Sequence, residues 1–319
     1  MDDKRTWVSL TGGLGNQLFQ FAAANSTNSD QITLVSRFGM PRTTDGKADL
    51  VFYKMPPNVK HEDKSNDPIF FRKVVGYILR AGINPKRFEQ IKVIKNVINL
   101  SARLLISLRL GTWLALSVGR DVGFSEITPK SRKIMLIGYF QTFKFMEFPN
   151  VARALQELEL RVKPTILLEH EILAREEVPL VVHVRLGDYR LEQKFGMLSE
   201  NYYKNVEELW ALGKFKKIWL FSDEPEVAFS RIPNNLSNQV RIIRDENETS
   251  ATTLELMRLG AGYLIANSSL SWWGAMLSRN DNPVVVAPTP WFRSMAEPKQ
   301  LVPEQWIRRD GFDSSDEGL

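Results

Sequence analysis

Three polar runs carry the side chains best suited to chemistry, and each follows an apolar stretch. The first is His183-Val184-Arg185-Leu186-Gly187-Asp188-Tyr189. Alternation along a strand points His183 and Arg185 to the same side. An arginine at a strand end needs an anion, and its planar fork suits a phosphate or carboxylate. An internal Arg185–Asp188 salt bridge in a tight turn is the plainer use of the same residues. Taken alone, His183 reads as a satisfied core histidine. The second run is Ser222-Asp223-Glu224. The third, Asn267-Ser268-Ser269-Leu270-Ser271-Trp272-Trp273-Gly274, reads as strand, loop and helix start. Its three hydroxyls and free helix N–H groups make a cradle for phosphate oxygens. Serine N-capping with both tryptophans in the core is the alternative.

A fourth segment, Thr11-Gly12-Gly13-Leu14-Gly15-Asn16-Gln17, follows a strand and opens a helix. Its backbone N–H groups suit an anion or an oxygen-rich ligand. The Lys-Ser/Thr pair of a triphosphate loop is missing, and the glycine spacing is not that of a dinucleotide fingerprint. A tight βα turn with an N-capping Asn16 is the competing reading. No Asp-any-Asp pair occupies a strand end, so a diphosphate here would be met by Arg185 and helix dipoles rather than by magnesium. That combination suggests a metal-independent nucleotide-sugar transferase.

These runs need elements to hold them. Strands are expected at Trp7–Leu10, Ile32–Val35 and Lys133–Ile137, with a helix from Asn16 to Asn25 and a polar stretch from Pro41 to Asp67. Arg153–Leu168 reads as helical or mixed, and Glu169–Glu177 as a charged link at the domain boundary. Further strands follow at Leu180–Val184, Ile218–Phe221, Val240–Ile243, Tyr263–Ala266 and Val284–Ala287. Helices are expected at Ser199–Leu212 and Thr252–Leu259. Such alternation argues for βαβ units and a parallel sheet. Ligands of open α/β sheets bind beyond the carboxyl ends of the strands, where all three runs lie. The expected division is residues 1–168, 178–295 and a tail at 296–319.

The chain has 319 residues and no Cys, which excludes disulfides, thiolate metal sites and a Cys nucleophile, and its three histidines, His61, His170 and His183, argue against a multi-histidine metal site. The polar start and the lack of an uncharged apolar run of about 18 residues lead us to expect a cytoplasmic protein without a signal peptide or membrane span. Of the net charge of +5, a surplus of +8 lies between Arg72 and Leu110, with nine Lys/Arg against Glu89, so the remainder sums to 5 − 8 = −3. Sparse aromatics there argue against nucleic acid. A helix over Phe88–Leu110 sets Lys92, Lys95, Asn96, Asn99 and Arg103 on one stripe and Ile91, Val93, Ile94, Val97, Ile98, Leu100, Leu104, Leu105 and Leu108 on the other half. Either the aliphatic half packs on the core and the basic stripe is solvated, or the helix lies on the anionic inner face of the cytoplasmic membrane.

The segments resemble the inverting α-1,2-fucosyltransferases of glycosyltransferase family 11. Gly12 to Gln20 is similar to that family's amino-terminal signature, His183 to Tyr189 to its His-any-Arg-Arg-Gly-Asp-Tyr motif, and Phe221-Ser222-Asp223-Glu224 to its Phe-Ser-Asp-Asp. Asn267 to Ala275, Gly138-Tyr139-Phe140-Gln141 and Ala287 to Phe292 fit as well, in order and along nearly the whole chain. The resemblance implies a GT-B architecture: two Rossmann-like α/β domains facing across a cleft, acceptor domain first and donor domain second. It implies GDP-fucose as donor, an oligosaccharide or lipid-linked glycan with a galactoside-type end as acceptor, and no metal. Carried over, Arg185 would hold the β-phosphate, His183 and Asp223 the nucleoside, and Ser268 and Ser269 the diphosphate. Ser222, Asn267, Gly13 and Gly15 would complete the donor contacts, and Asn16 and Gln17 would lie near sugar and acceptor. Asp188 is a candidate base or a residue that orients Arg185. Leu186 stands in place of the second Arg, Glu224 in place of Asp, and Thr253 where an Asp precedes the Leu-Met pair. Those departures keep open another nucleotide sugar on the same scaffold. The basic helix keeps open a non-catalytic, membrane-associated glycan-binding protein.

Overall fold

The computed structural model describes residues 3–36, 48–63, 68–71, 73, 92–119, 122–124, 127, 131–244 and 249–313. The chain divides into two compact units, Met1–Arg161 with Pro298–Leu301, and Val162–Glu297 with Val302–Leu319. Both are parallel α/β units, as the alternation of short apolar runs and helical patterns requires.

The first unit contains β1 (Arg5–Leu10), α1 (Leu14–Asn25), β2 (Gln31–Ser36), β3 (Val59–Asp63), α2 (Lys92–Leu110), β4 (Ala115–Val118), β5 (Lys133–Ile137) and α3 (Pro149–Gln156). Its sheet runs β3-β2-β1-β5-β4, with every pair parallel. Helix α1 has no β-branched residue, and Leu18, Phe19, Phe21, Ala22 and Ala23 are fully buried, which fixes it against the sheet. The order of the strands reverses between β1 and β5, which places the switch point of this sheet between those two strands.

The second unit contains α4 (Thr165–Glu177), β6 (Leu180–Val184), α5 (Glu200–Tyr203), α6 (Asn205–Trp210), β7 (Ile218–Ser222), α7 (Pro225–Phe229), β8 (Val240–Ile242), α8 (Ser250–Met257), β9 (Gly262–Leu264), α9 (Ser269–Met276), β10 (Val284–Thr289) and β11 (Ile307–Asp310). The parallel sheet has the order β11-β10-β9-β6-β7-β8. Read from β8 this is the 3-2-1-4-5-6 order of a dinucleotide-type fold, with its switch point between β6 and β9. Strand β6 is buried along its whole length, as a central parallel strand must be. Trp272 and Trp273 are core residues, packed edge to face at 4.7 Å.

Several expectations are corrected. The units part at Arg161/Val162 rather than at 169–177, because Glu169–Glu177 belongs to helix α4, held to the second unit by the Glu177 bonds to Trp219 and Arg241. The stretch 296–319 is not a tail: Pro298–Leu301 joins the first unit, and β11 pairs with β10. The helix over Ser199–Leu212 breaks at Lys204 into α5 and α6. Helix α1 starts at Leu14, with Gly13 rather than Asn16 at its N-cap.

Helix α2 differs most. Ala102 and Ile106 pack into a cluster with Trp7, Phe71, Leu114 and Met135, and Arg103 Nε donates to the Leu114 carbonyl at 2.7 Å. Leu100, Leu104 and Leu108 are exposed by 60%, 48% and 70%. Where its side chains are described, the helix turns the Arg103 stripe inward and the leucine stripe outward. Residues 72 and 74–91, including Phe88 and Ile91, lie outside the described residues.

Candidate functional site

The site grows from the switch point of the second sheet. Strand β6 delivers Arg185 from a buried run to a side chain that is 34% exposed. Its guanidinium is gripped twice: Nε donates to Asp188 Oδ1 at 3.0 Å with NH2 at 2.8 Å, and NH1 lies 3.2 Å from Asp223 Oδ2. The group also sits 5.9 Å from the centre of the Tyr189 ring. NH1 and NH2 each carry two N–H groups, so the fork keeps capacity for ligand oxygens beyond the two carboxylates.

Asp223, from the end of β7, holds more than the arginine. Its Oδ1 accepts the Leu186 backbone N–H at 3.0 Å, which fixes the β6 loop to the β7 loop. A Cβ on Gly187 would fall 2.7 Å from Asp223 Oδ2, so the glycine admits the carboxylate. Leu186 points its side chain into the core of the unit. Ser222 Oγ accepts the Glu224 N–H at 3.0 Å and so shapes the turn, and Glu224 forms a two-pronged pair with Arg190. Glu224 is therefore engaged by an arginine that the sequence reading did not single out.

The β9 loop is tied to the same place. Tyr189 Oη donates to the Asn267 carbonyl at 3.1 Å, and burial pushes that phenol's pKa far up, which keeps it a donor. Asn267 is buried, and its Nδ2 donates to the carbonyls of Phe195 and Gly196 at 3.1 and 3.0 Å. Its amide is a staple between loops, not an exposed ligand group. Ser268 caps α9, and Ser269 opens the helix partly exposed. Ser271 is a correction to the three-hydroxyl cradle, since it is buried and bonded to the carbonyls of Ala266 and Ser268.

His183 is buried in β6 but is not the satisfied core histidine expected of it alone, since its Nδ1 has no hydrogen-bond partner among the described residues. Burial first, and then the charge of Arg185, hold its pKa down to about 3 against the usual 6.5. The imidazole is neutral, and Arg185 is the cation of this cluster.

In the first unit, the loops after β1 and β5 meet at that sheet's switch point. Gly12 has φ +72°, and a Cβ there would fall 2.4 Å from Asn16 Nδ2, which makes glycine obligatory. Asn16 Oδ1 accepts from Gln141 Nε2 at 2.7 Å, joining the two segments that the resemblance had paired only by order. Gln17 is buried, with bonds to the Gly12 carbonyl and the Leu50 N–H, so it braces the loop. Gly13 is exposed and Gly15 buried.

Sequence reasoning also missed a cavity of about 350 Å³ in the second unit, lined among others by Tyr189, Arg190, Arg231, Arg293 and Asp313. Arg190 directly follows the motif and was within reach of it. Arg231 and Arg293 belong to no pattern and converge only through the fold.

No protein-family model matches the chain. It is similar to an α-1,2-colitosyltransferase of Escherichia coli, 34% identical over 136 residues, or 40% of this chain and 46% of that protein. It is likewise similar to the O-antigen biosynthesis glycosyltransferase WbnK of Escherichia coli, 34% identical over 131 residues, 40% of this chain and 43% of that one. The matches thus span less than half the length of either relative. Among solved structures it resembles the fucosyltransferase NodZ from Bradyrhizobium, at 12% identity and TM-score 0.47, over 89% of this chain and 97% of that one. It also resembles the ADP-heptose lps heptosyltransferase II of E. coli, at 10% identity and TM-score 0.49, over 98% and 93%.

Proposed function

We propose that the chain is a glycosyltransferase of O-antigen-like polysaccharide synthesis, which moves fucose from GDP-fucose to the 2-hydroxyl of a galactoside-type acceptor. The observation that carries this reading is Arg185, held at the β6/β9 switch point by Asp188 and Asp223 with N–H capacity to spare. As the glycosidic bond to the diphosphate breaks, negative charge grows on the leaving oxygens. A fixed guanidinium offsets it more strongly in the transition state than in the ground state. The N-terminus of α9, opened by Ser268 and Ser269, supplies a second positive pole. With these groups in place the reaction needs no metal.

Asp188 acts in this scheme by orienting Arg185, through an Oδ1 that accepts from both Nε and NH2 of the guanidinium. Asn16, braced by Gln141, is the polar group we assign to the sugar or acceptor side. A colitosyl donor is the second reading, favoured by the partial similarity to an α-1,2-colitosyltransferase. Incubation of the purified protein with GDP-fucose, GDP-colitose or UDP-galactose and a β-galactoside, followed by mass spectrometry, tests both. Transfer from a GDP-linked sugar is expected. Transfer from the UDP-sugar alone would overturn the donor assignment.

A further inference from the structure

Helix α2 is amphipathic in an inverted sense. Its inward stripe holds Ala102, Ile106, Ser107 and the stem of Arg103, while Leu100, Leu104 and Leu108 recur every fourth residue on the outward one. Trp113, 56% exposed, follows the helix and stacks under Arg103 at 4.5 Å, and Arg109 lies exposed in the last turn. The segment that sends Phe71 into the same cluster leaves Ile69 and Phe70 exposed. A contiguous aliphatic stripe facing water is unfavourable unless something covers it. No helix among the described residues is long and apolar enough to cross a membrane.

We propose that Leu100, Leu104, Leu108 and Trp113 form a docking surface for an anionic lipid bilayer, on which α2 lies flat. Charge selects this occupant. Residues 72–110 carry nine Lys/Arg against one acid, within a chain whose remaining residues are net negative. A negatively charged leaflet attracts such a segment while headgroup-level apolar side chains insert. An indole beside a guanidinium suits the interface between headgroup and acyl chain. The surface would hold the protein where a lipid-linked acceptor is found.

Co-sedimentation with vesicles of phosphatidylglycerol and phosphatidylcholine, against phosphatidylcholine alone, is the test. The wild type should pellet with the anionic vesicles only. Leu100→Gln/Leu104→Gln/Leu108→Gln should partition about a hundredfold more weakly, since each half-exposed leucine contributes about 1 kcal/mol on insertion. Its thermal unfolding should match the wild type, because these side chains touch water. Should that variant misfold, quenching of wild-type Trp113 by brominated lipid decides, with Trp113→Phe as control. The other seven tryptophans are buried or half-buried, so quenching lost in the control reports on Trp113. Absence of pelleting at low salt, equal pelleting of both proteins, or a wild-type dimer that the triple variant converts to monomer would overturn the proposal.

Discussion

Asp223 and Arg185 meet at 3.2 Å while the other oxygen of the same carboxylate receives the Leu186 N–H at 3.0 Å. One side chain from β7 therefore sets both the backbone of the β6 loop and the direction of its arginine. Asp188 grips the guanidinium at Nε and NH2, from within the β6 loop itself. The two carboxylates have different tasks.

Their amides should separate those tasks. Asp188→Asn loses only one side of the grip, so the rate of transfer should fall about tenfold and keep its pH profile, whereas loss of a general base costs about 10²–10⁴-fold. Asp223→Asn keeps an acceptor for Leu186 but forfeits the charge that aims Arg185, and the donor KM should rise with little change in melting temperature. Steady-state kinetics across pH 5–9 for both variants checks this. A flattened acidic limb in Asp188→Asn would make Asp188 the base after all.

Gly187→Ala places a methyl 2.7 Å from Asp223 Oδ2. The carboxylate must retreat, and the expected cost is about 1–3 kcal/mol of stability together with weaker donor binding. Urea unfolding and a donor titration measure both. An unchanged unfolding midpoint would mean that the loop relaxes freely.

How much of this was legible depends on what each residue answers to. Leu180–Val184 and Lys133–Ile137 are strands at their expected bounds, because a continuous buried apolar run has few other uses. Val59–Asp63 and Ile307–Asp310 are polar edge strands held by backbone pairing to one neighbour, a signal absent from hydrophobic pattern. The polar strand-end runs were visible, and so was the Arg185–Asp188 pair. The joining of Asp223 to Leu186 was not, since it spans 37 positions. For α2, periodicity identifies two faces but not which one the sheet takes. That choice follows from the fit of Ala102 and Ile106 and from the Leu114 carbonyl that accepts Arg103.

His183 makes folding sensitive to acid. Its folded pKa of about 3 lies below the unfolded 6.5, so its contribution is complete above pH 6.5 and is lost as pH falls toward 3. Between pH 6.5 and 5 the loss should be roughly 2 kcal/mol. Denaturant unfolding of wild type and His183→Gln at both pH values checks this. The variant should lose correspondingly less, and parallel losses would place the acid sensitivity elsewhere.

Transfer should survive excess EDTA, because Arg185 and the α9 terminus supply the positive charge that a metal would otherwise bring. Activity lost to the chelator and restored by magnesium or manganese would reject that division of labour.

The central claim is that Arg185 receives a diphosphate. Thermal unfolding with GDP and with guanosine, for wild type and Arg185→Ala, tests it most directly. GDP at about 100 times its Kd should stabilise the wild type by about 2.7 kcal/mol. Guanosine at the same concentration should do far less. The alanine variant, folded without ligand, should lose about half to nine-tenths of the GDP shift, since a charge-assisted contact to phosphate is worth about 1.5–3 kcal/mol. An Arg185→Ala protein that GDP stabilises as strongly as it does the wild type would contradict the account.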